Sequence, residues 1–115
     1  VIAPVAISYE GEGLNVDGDR AAAAIGAALD ADKVIILTNV PGVLRDVDDE
    51  TSVIGQVAQG KAEEVLEQYA EGRMKRKVLG AIEALTEGVG QVIIADGRAE
   101  QPVRRALAGE GTIIG

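Results

Sequence analysis

Cysteine and histidine are both missing from this 115-residue chain, as are phenylalanine and tryptophan, and there are only two tyrosines and one methionine. Without Cys and His, disulfides, thiol and imidazole catalysis and the usual zinc sites are excluded, which leaves carboxylates as the only ready metal ligands. The shortage of aromatics means that any core is built from Val, Ile, Leu and Ala, with fifteen glycines for the turns. Cations are also scarce: eleven Lys and Arg stand against nineteen Asp and Glu, a formal net charge of -8. Such a chain is a poor general binder of nucleic acid or anionic membrane. No run approaches the roughly 18 apolar residues that a membrane span requires, and no signal-peptide pattern is present. The expectation is a cytoplasmic protein with neither nucleic acid nor membrane as a partner.

What is there is 47% hydrophobic, enough to bury the core of one domain or of a piece of one. The opening "VIAPVAIS" reads as a buried strand, so the 115 residues are expected to be a fragment of a longer protein or an engineered sequence. A Gly- and Glu-bearing loop follows, and "NVDGD" then offers Asn15, Asp17 and Asp19 as caps for an Ala-rich helix over about 20–29. "KVIILT" is a continuous apolar run of the kind covered on both faces, with Val34 to Leu37 expected to be central and buried. It ends at "NVPGVL", where Pro41-Gly42 demands a turn. The polar "RDVDDETSVIG" predicts a small hairpin; "DVDDE" lacks the spacing and glycine of an EF-hand loop and reads as its solvated tip. Helices over 62–69 and 74–86, the strand "QVIIAD", a helix ended by Gly109 and a last strand "GTIIG" complete the pattern. This alternation predicts a three-layer α/β/α unit with a mostly parallel sheet of about five strands. In such sheets ligands sit outside the carboxyl ends of the strands.

One stretch contradicts the scarcity of cations. In "AEGRMKRKVLGAI", Arg73, Lys75, Arg76 and Lys77 fall within five positions at the start of a helix, where the macrodipole disfavours positive charge. At about 100° per residue, Met74, Val78, Ala81, Ile82 and Leu85 form an apolar stripe. Lys75 and Lys77 flank that stripe, Arg73 lies further out and Arg76 points away from it. A flanking lysine can lay its stem along the core and still reach a crevice; a solvated helix face is the competing explanation. Asp19 precedes an almost uncharged helix, so its carboxylate is expected at the edge of the core, where an unpaired charge is expensive. Lys77 is the candidate partner.

In order along the chain, "LNVDGD", "LTNVPGVL", "EGRMKRKV" and "VIIADGRAEQPVRRALAGEGTII" resemble the carboxyl-terminal half of the amino acid kinase family. The likeness is to the N-acetylglutamate kinase branch, and within it to kinases acting on aminoadipate or glutamate held by an amino-group carrier protein in lysine and arginine biosynthesis. The resemblance implies transfer of the γ-phosphoryl of ATP, with Mg2+ carried by the nucleotide, to a carboxylate. It implies a transition-state role for Lys77, an organising role for Asp19 and contact of Asn15 with the amino acid substrate. A nucleotide pocket is implied at Asn39, Val40, Pro41, Gly42, Val43 and Leu44, together with Tyr69, Ala70, Glu71 and Met74. No metal is expected to be held by the protein alone. Asn39 stands where acetylglutamate kinases usually have Asp, as in the carrier-protein kinases. An acidic carrier protein is thus an expected partner, ATP or ADP the expected ligand and a homo-oligomer the expected assembly. The family's glycine-rich phosphate loop, first catalytic lysine and most of its substrate pocket belong to an amino-terminal half outside these 115 residues, so the isolated chain is expected to be inactive. A stand-alone nucleotide-binding module and a simplified or reconstructed folding sequence remain the alternatives.

Overall fold

In the computed structural model, which describes residues 1–115, the two apolar runs become the longest strands and lie side by side. The chain order is β1 (Val5–Ile7), β2 (Gly13–Asn15), α1 (Gly18–Ala28), β3 (Lys33–Thr38), β4 (Gln56–Val57), α2 (Ala62–Tyr69), α3 (Arg73–Thr86), β5 (Gln91–Asp96), α4 (Pro102–Leu107) and β6 (Thr112–Ile114). β3 pairs with β5 in parallel, from Lys33 opposite Gln91 to Thr38 opposite Asp96. The sheet order is β3-β5-β6-β4, with β6 antiparallel to β5 and parallel to β4.

The two-residue periodicity of the strands divides the core into two faces. Val34, Ile36, Val92, Ile94 and Ile114 meet Ala23 of α1 and Val78, Ala81 and Leu85 of α3 on one side. Ile35, Ile93, Ala95 and Ile113 meet Ala106 of α4 on the other. That makes three layers. Ile93, Ile94, Ile114, Val78 and Val92 are all less than 2% exposed, and burial of each such side chain is worth about 1.5–3 kcal/mol.

Helix ends are fixed by local bonding. Asp17 caps α1 through its side chain, accepting from the N–H groups of Asp19 and Arg20. At the other end Asp30 adopts a left-handed φ of 49°, and the N–H groups of Asp30 and Ala31 donate back to the carbonyls of Ala27 and Gly26. This is the Schellman pattern. The same bonds recur after α3, where Gly88 supplies the positive φ and Val89 is buried beyond it.

Three expectations are corrected. The sheet has four strands, because β1 and β2 form a separate antiparallel ribbon. The opening run is exposed throughout β1 rather than buried, with Val5 57% and Ile7 79% exposed. β3 lies at an edge, with Ile36 buried, Ile35 half-buried and Leu37 exposed; the interior position belongs to β5, of which Val92 to Ala95 are all buried. An apolar run reports coverage of a strand's faces, whereas its order in the sheet depends on pairing that the pattern does not encode. No helix is long and apolar enough to cross a membrane.

Gly26 is where α1 touches the sheet: a Cβ there would lie 2.4 Å from Val34 Cγ2. Gly26→Ala is therefore expected to destabilise the fold by about 1–3 kcal/mol through overpacking, even though alanine favours a helix by roughly 0.8–1 kcal/mol over glycine. Urea unfolding with the midpoint unchanged or raised would contradict this close contact.

Candidate active site

The carboxyl ends of β3 and β5 make one rim, locked by the Gly97 N–H, which donates to the Thr38 carbonyl at 2.7 Å. From there the chain turns through Asn39 to Gly42 and dives inward at Val43, which is fully buried. A small hairpin follows, with Leu44 bridged to Val53 and the Arg45 and Ile54 N–H groups donating to the carbonyls of Ser52 and Val43. Its tip is tied by its own side chains. The Ser52 hydroxyl donates to the carbonyls of Asp46 and Asp49, and the Thr51 hydroxyl donates to the Asp49 carboxylate at 2.6 Å, which lowers the pKa of Asp49.

Between this turn and the junction of α2 with α3 lies a hollow of about 410 Å3. Asn39, Val40, Gly42 and Leu44 line it from the turn, and Tyr69, Glu71 and Met74 from the junction. Lys77 closes it one helical turn further along α3. Three residues expected in the pocket do not line it. Val43 and Ala70 are buried behind the lining, and Pro41 shapes the turn from outside the hollow. Thr38, Val47 and Arg73 line it although they were not expected to. Thr38 is the last residue of "KVIILT", so the strand-end rule points to it, and Arg73 belongs to the basic turn. Val47 carries no signal, because a single valine in a polar hairpin says nothing of what it faces.

Lys77 and Asp19 meet. The Lys77 ammonium donates to both carboxylate oxygens of Asp19, at 3.0 and 3.3 Å, and the two side chains are only 17% and 20% exposed. Gly80 permits this approach, since a Cβ there would lie 3.1 Å from the Asp19 carbonyl oxygen. Arg76 is 73% exposed, in keeping with its angle away from the stripe, but it swings over α1 to lie 3.7 Å from Asp17. The first turn of α3 has no acidic residue and no side-chain cap, so these two aspartates of α1 supply the negative charge that the turn lacks. Lys75 and Arg73 are exposed and make no ion pair. Asn15 ends β2, exposed and paired with Val5, and does not border the hollow.

A second ionic cluster sits at the rim. Arg98 donates from Nε and Nη2 to Asp96 at 2.9 Å each, and from both Nη atoms to Glu50 at the hairpin tip at 3.2–3.3 Å. A larger groove of about 820 Å3, mostly apolar, runs between the β1–β2 ribbon and α1. Arg20 and Glu83 of its lining are spent on each other and it lies away from the carboxyl ends of β3 and β5, so the strand-end hollow is the better candidate site.

The family model described as "Amino acid kinase family" matches residues 1–96. A [LysW]-aminoadipate kinase of Deinococcus radiodurans is 54% identical over 114 residues, covering 99% of this chain and 39% of that protein. An acetylglutamate kinase of Clostridioides difficile is 41% identical over 118 residues, covering 99% of this chain and 41% of that protein. The chain thus spans about two fifths of the length of these curated relatives. Among solved structures, N-acetylglutamate synthase from Neisseria gonorrhoeae, complexed with coenzyme A and L-arginine, superposes with a TM-score of 0.84 at 30% identity, covering 96% of this chain and 26% of that one. Carbamate kinase from Giardia lamblia bound to AMP-PNP gives a TM-score of 0.74 at 23% identity, covering 96% and 36%, a likeness of fold.

The hydrogen bonds from Arg98 hold the Asp96 carboxyl below its ordinary pKa. A carboxylate with a depressed folded-state pKa contributes stability that is present above its unfolded value of about 3.9 and lost as pH falls through the folded value. NMR titration of Asp96 is expected to give a pKa below about 3.9 in the parent and a higher one in Arg98→Gln. Equal values in the two would contradict the clamp.

Proposed function

The chain belongs to the amino acid kinase family, and on that premise we propose that it is the ATP-binding half of a kinase that converts a side-chain carboxylate to an acyl phosphate. The substrate proposed is aminoadipate or glutamate with its amino group blocked, by a carrier protein or by an acetyl group. The names of the two relatives divide along that line, and Asn39 favours the carrier. The observation that carries the proposal is the Lys77–Asp19 pair set at one end of a hollow at the carboxyl ends of the strands.

The residues suit a nucleotide. Val40, Leu44, Val47, Tyr69 and Met74 give the hollow an apolar wall for a purine, and Arg73 and Lys77 give it a cationic end for phosphates. Mg2+ would arrive bound to the phosphates, as the family resemblance implies, and would neutralise their charge. Glu71 is the one carboxylate of the lining.

In the proposed reaction a carboxylate oxygen of the substrate attacks the γ-phosphorus, the bond to the β–γ bridging oxygen breaks, and ADP leaves with that electron pair. Little covalent chemistry is asked of the protein, and most of the catalysis is positioning and charge stabilisation. The Lys77 ammonium has three donors. Two contacts to Asp19 fix its direction and leave a proton to offer the transferring phosphoryl group. Asp19 does not line the hollow, so it acts through Lys77 as a positioning residue.

Isothermal titration of the 115-residue chain with ADP tests the reading. Part of the phosphate-binding apparatus is expected to lie outside these residues, so the dissociation constant is expected to be roughly micromolar to millimolar, about -4 to -8 kcal/mol. Absence of saturable binding would overturn the nucleotide reading. Binding by a catalytically complete protein that never transfers phosphoryl to such a carboxylate would favour a binding module instead.

A further inference from the structure

Thr112 is the one polar residue among the buried set, fully inaccessible on β6. Its Oγ1 accepts the Val43 N–H at 2.8 Å across 69 positions of sequence. The turn comes unusually close at this point: a Cβ on Gly42 would lie 2.7 Å from Thr112 Oγ1 and 3.1 Å from the Thr112 backbone nitrogen. Thr112 projects to the same side of the sheet as Ile114, and therefore toward Val43 in the main core.

We infer that Thr112 is a positioning residue for nucleotide binding, setting the height of the Asn39–Leu44 turn above the end of the sheet. This rests on the nucleotide reading of the hollow. The turn bonds to the sheet through few groups: Val43 spends its carbonyl on the hairpin, accepting from Ile54, and its N–H on Thr112. Gly42 and Leu44, the residues on either side of Val43, both line the hollow, so a shift of Val43 moves two walls at once. The hairpin that carries Val47 starts from the same point. Thr112 itself touches none of the lining space, and a hydroxyl on a core strand is otherwise a poor choice beside Ile113 and Ile114. A buried N–H deprived of its acceptor is costly enough to displace the backbone, and the Gly42 contact leaves no slack for a replacement of different shape.

Thr112→Val and Thr112→Ser separate this role from packing. Valine keeps the shape and removes the acceptor, whereas serine keeps the acceptor and removes a methyl. By ADP calorimetry on the 115-residue chain, Thr112→Val is expected to bind roughly tenfold more weakly, and Thr112→Ser within about twofold of the parent. Hydrogen exchange supplies a second readout: the Val43 amide of the parent is expected to be protected like the amides of β5, and in Thr112→Val that protection is expected to be lost. A parent that binds ADP while Thr112→Val binds equally well, or a Val43 amide that exchanges in the parent as fast as those of the hairpin tip, overturns the inference and leaves the nucleotide reading intact. A parent that takes up no ADP overturns both.

Discussion

The ion pair of Lys77 with Asp19, the least exposed of those joining α1 and its cap to α3, couples the two helices that border the sheet's carboxyl end, and the rest of the site is arranged around it. Lys77 enters α3 at the turn where the helix dipole opposes a cation, and Asp19 begins α1 beside a run of alanines that gives it no other partner. Each charge is unfavourable alone. Together, shielded from water on most sides, they offset one another and hold an ammonium at a defined place. The absence of side chains at Gly80 and Gly26 lets α1 settle both on α3 and on β3, which brings the pair to the hollow rather than leaving it in solvent. This is the route from sequence to chemistry: small residues set the helix spacing, the spacing sets the pair, and the pair aims the lysine.

Around that charge the structure divides its work between rigid and local parts. β5 and β6 are paired, buried and covered on both faces, so their ends are fixed points. The turn and hairpin that form the opposite wall have little core of their own and are attached to those points individually, at Thr112 from beneath and at Arg98 from the rim. Loops carry recognition because they vary freely, and they recognise well only when a rigid scaffold holds them.

Much of this was legible in the sequence. The alternation of apolar runs with capped helices is a period argument, and it located α1, α2, α3 and the main strands to within a residue or two. The partnership of Asp19 with Lys77 followed from charge economy: a carboxylate expected at the edge of the core requires a cation, and of the two lysines flanking the apolar stripe Lys77 was the candidate. The order of strands was not legible, since β3 and β5 are nearly interchangeable as sequences and only long-range pairing decides which lies inside. Nor was the ribbon, where Val5 and Ile7 are as apolar as core residues and are exposed all the same. Thr112 and Arg98 went unnoticed for a related reason. Their roles come from what the fold brings beside them, and nothing near either in sequence advertises Val43 or Glu50.

The central claim is that Asp19 and Lys77 act as one unit, the first aiming the second. Steady-state kinetics on a double-mutant cycle in the catalytically complete protein test it most directly. Lys77→Ala is expected to lower turnover by roughly 10²- to 10³-fold, Asp19→Asn is expected to lower it as well, and the double variant is expected to be little worse than the poorer single one. Arg76→Ala, exposed and turned away from the hollow, is expected to change turnover by less than about threefold. Full additivity of the Asp19 and Lys77 effects, or a loss on removing Arg76 as large as that on removing Lys77, would contradict the account.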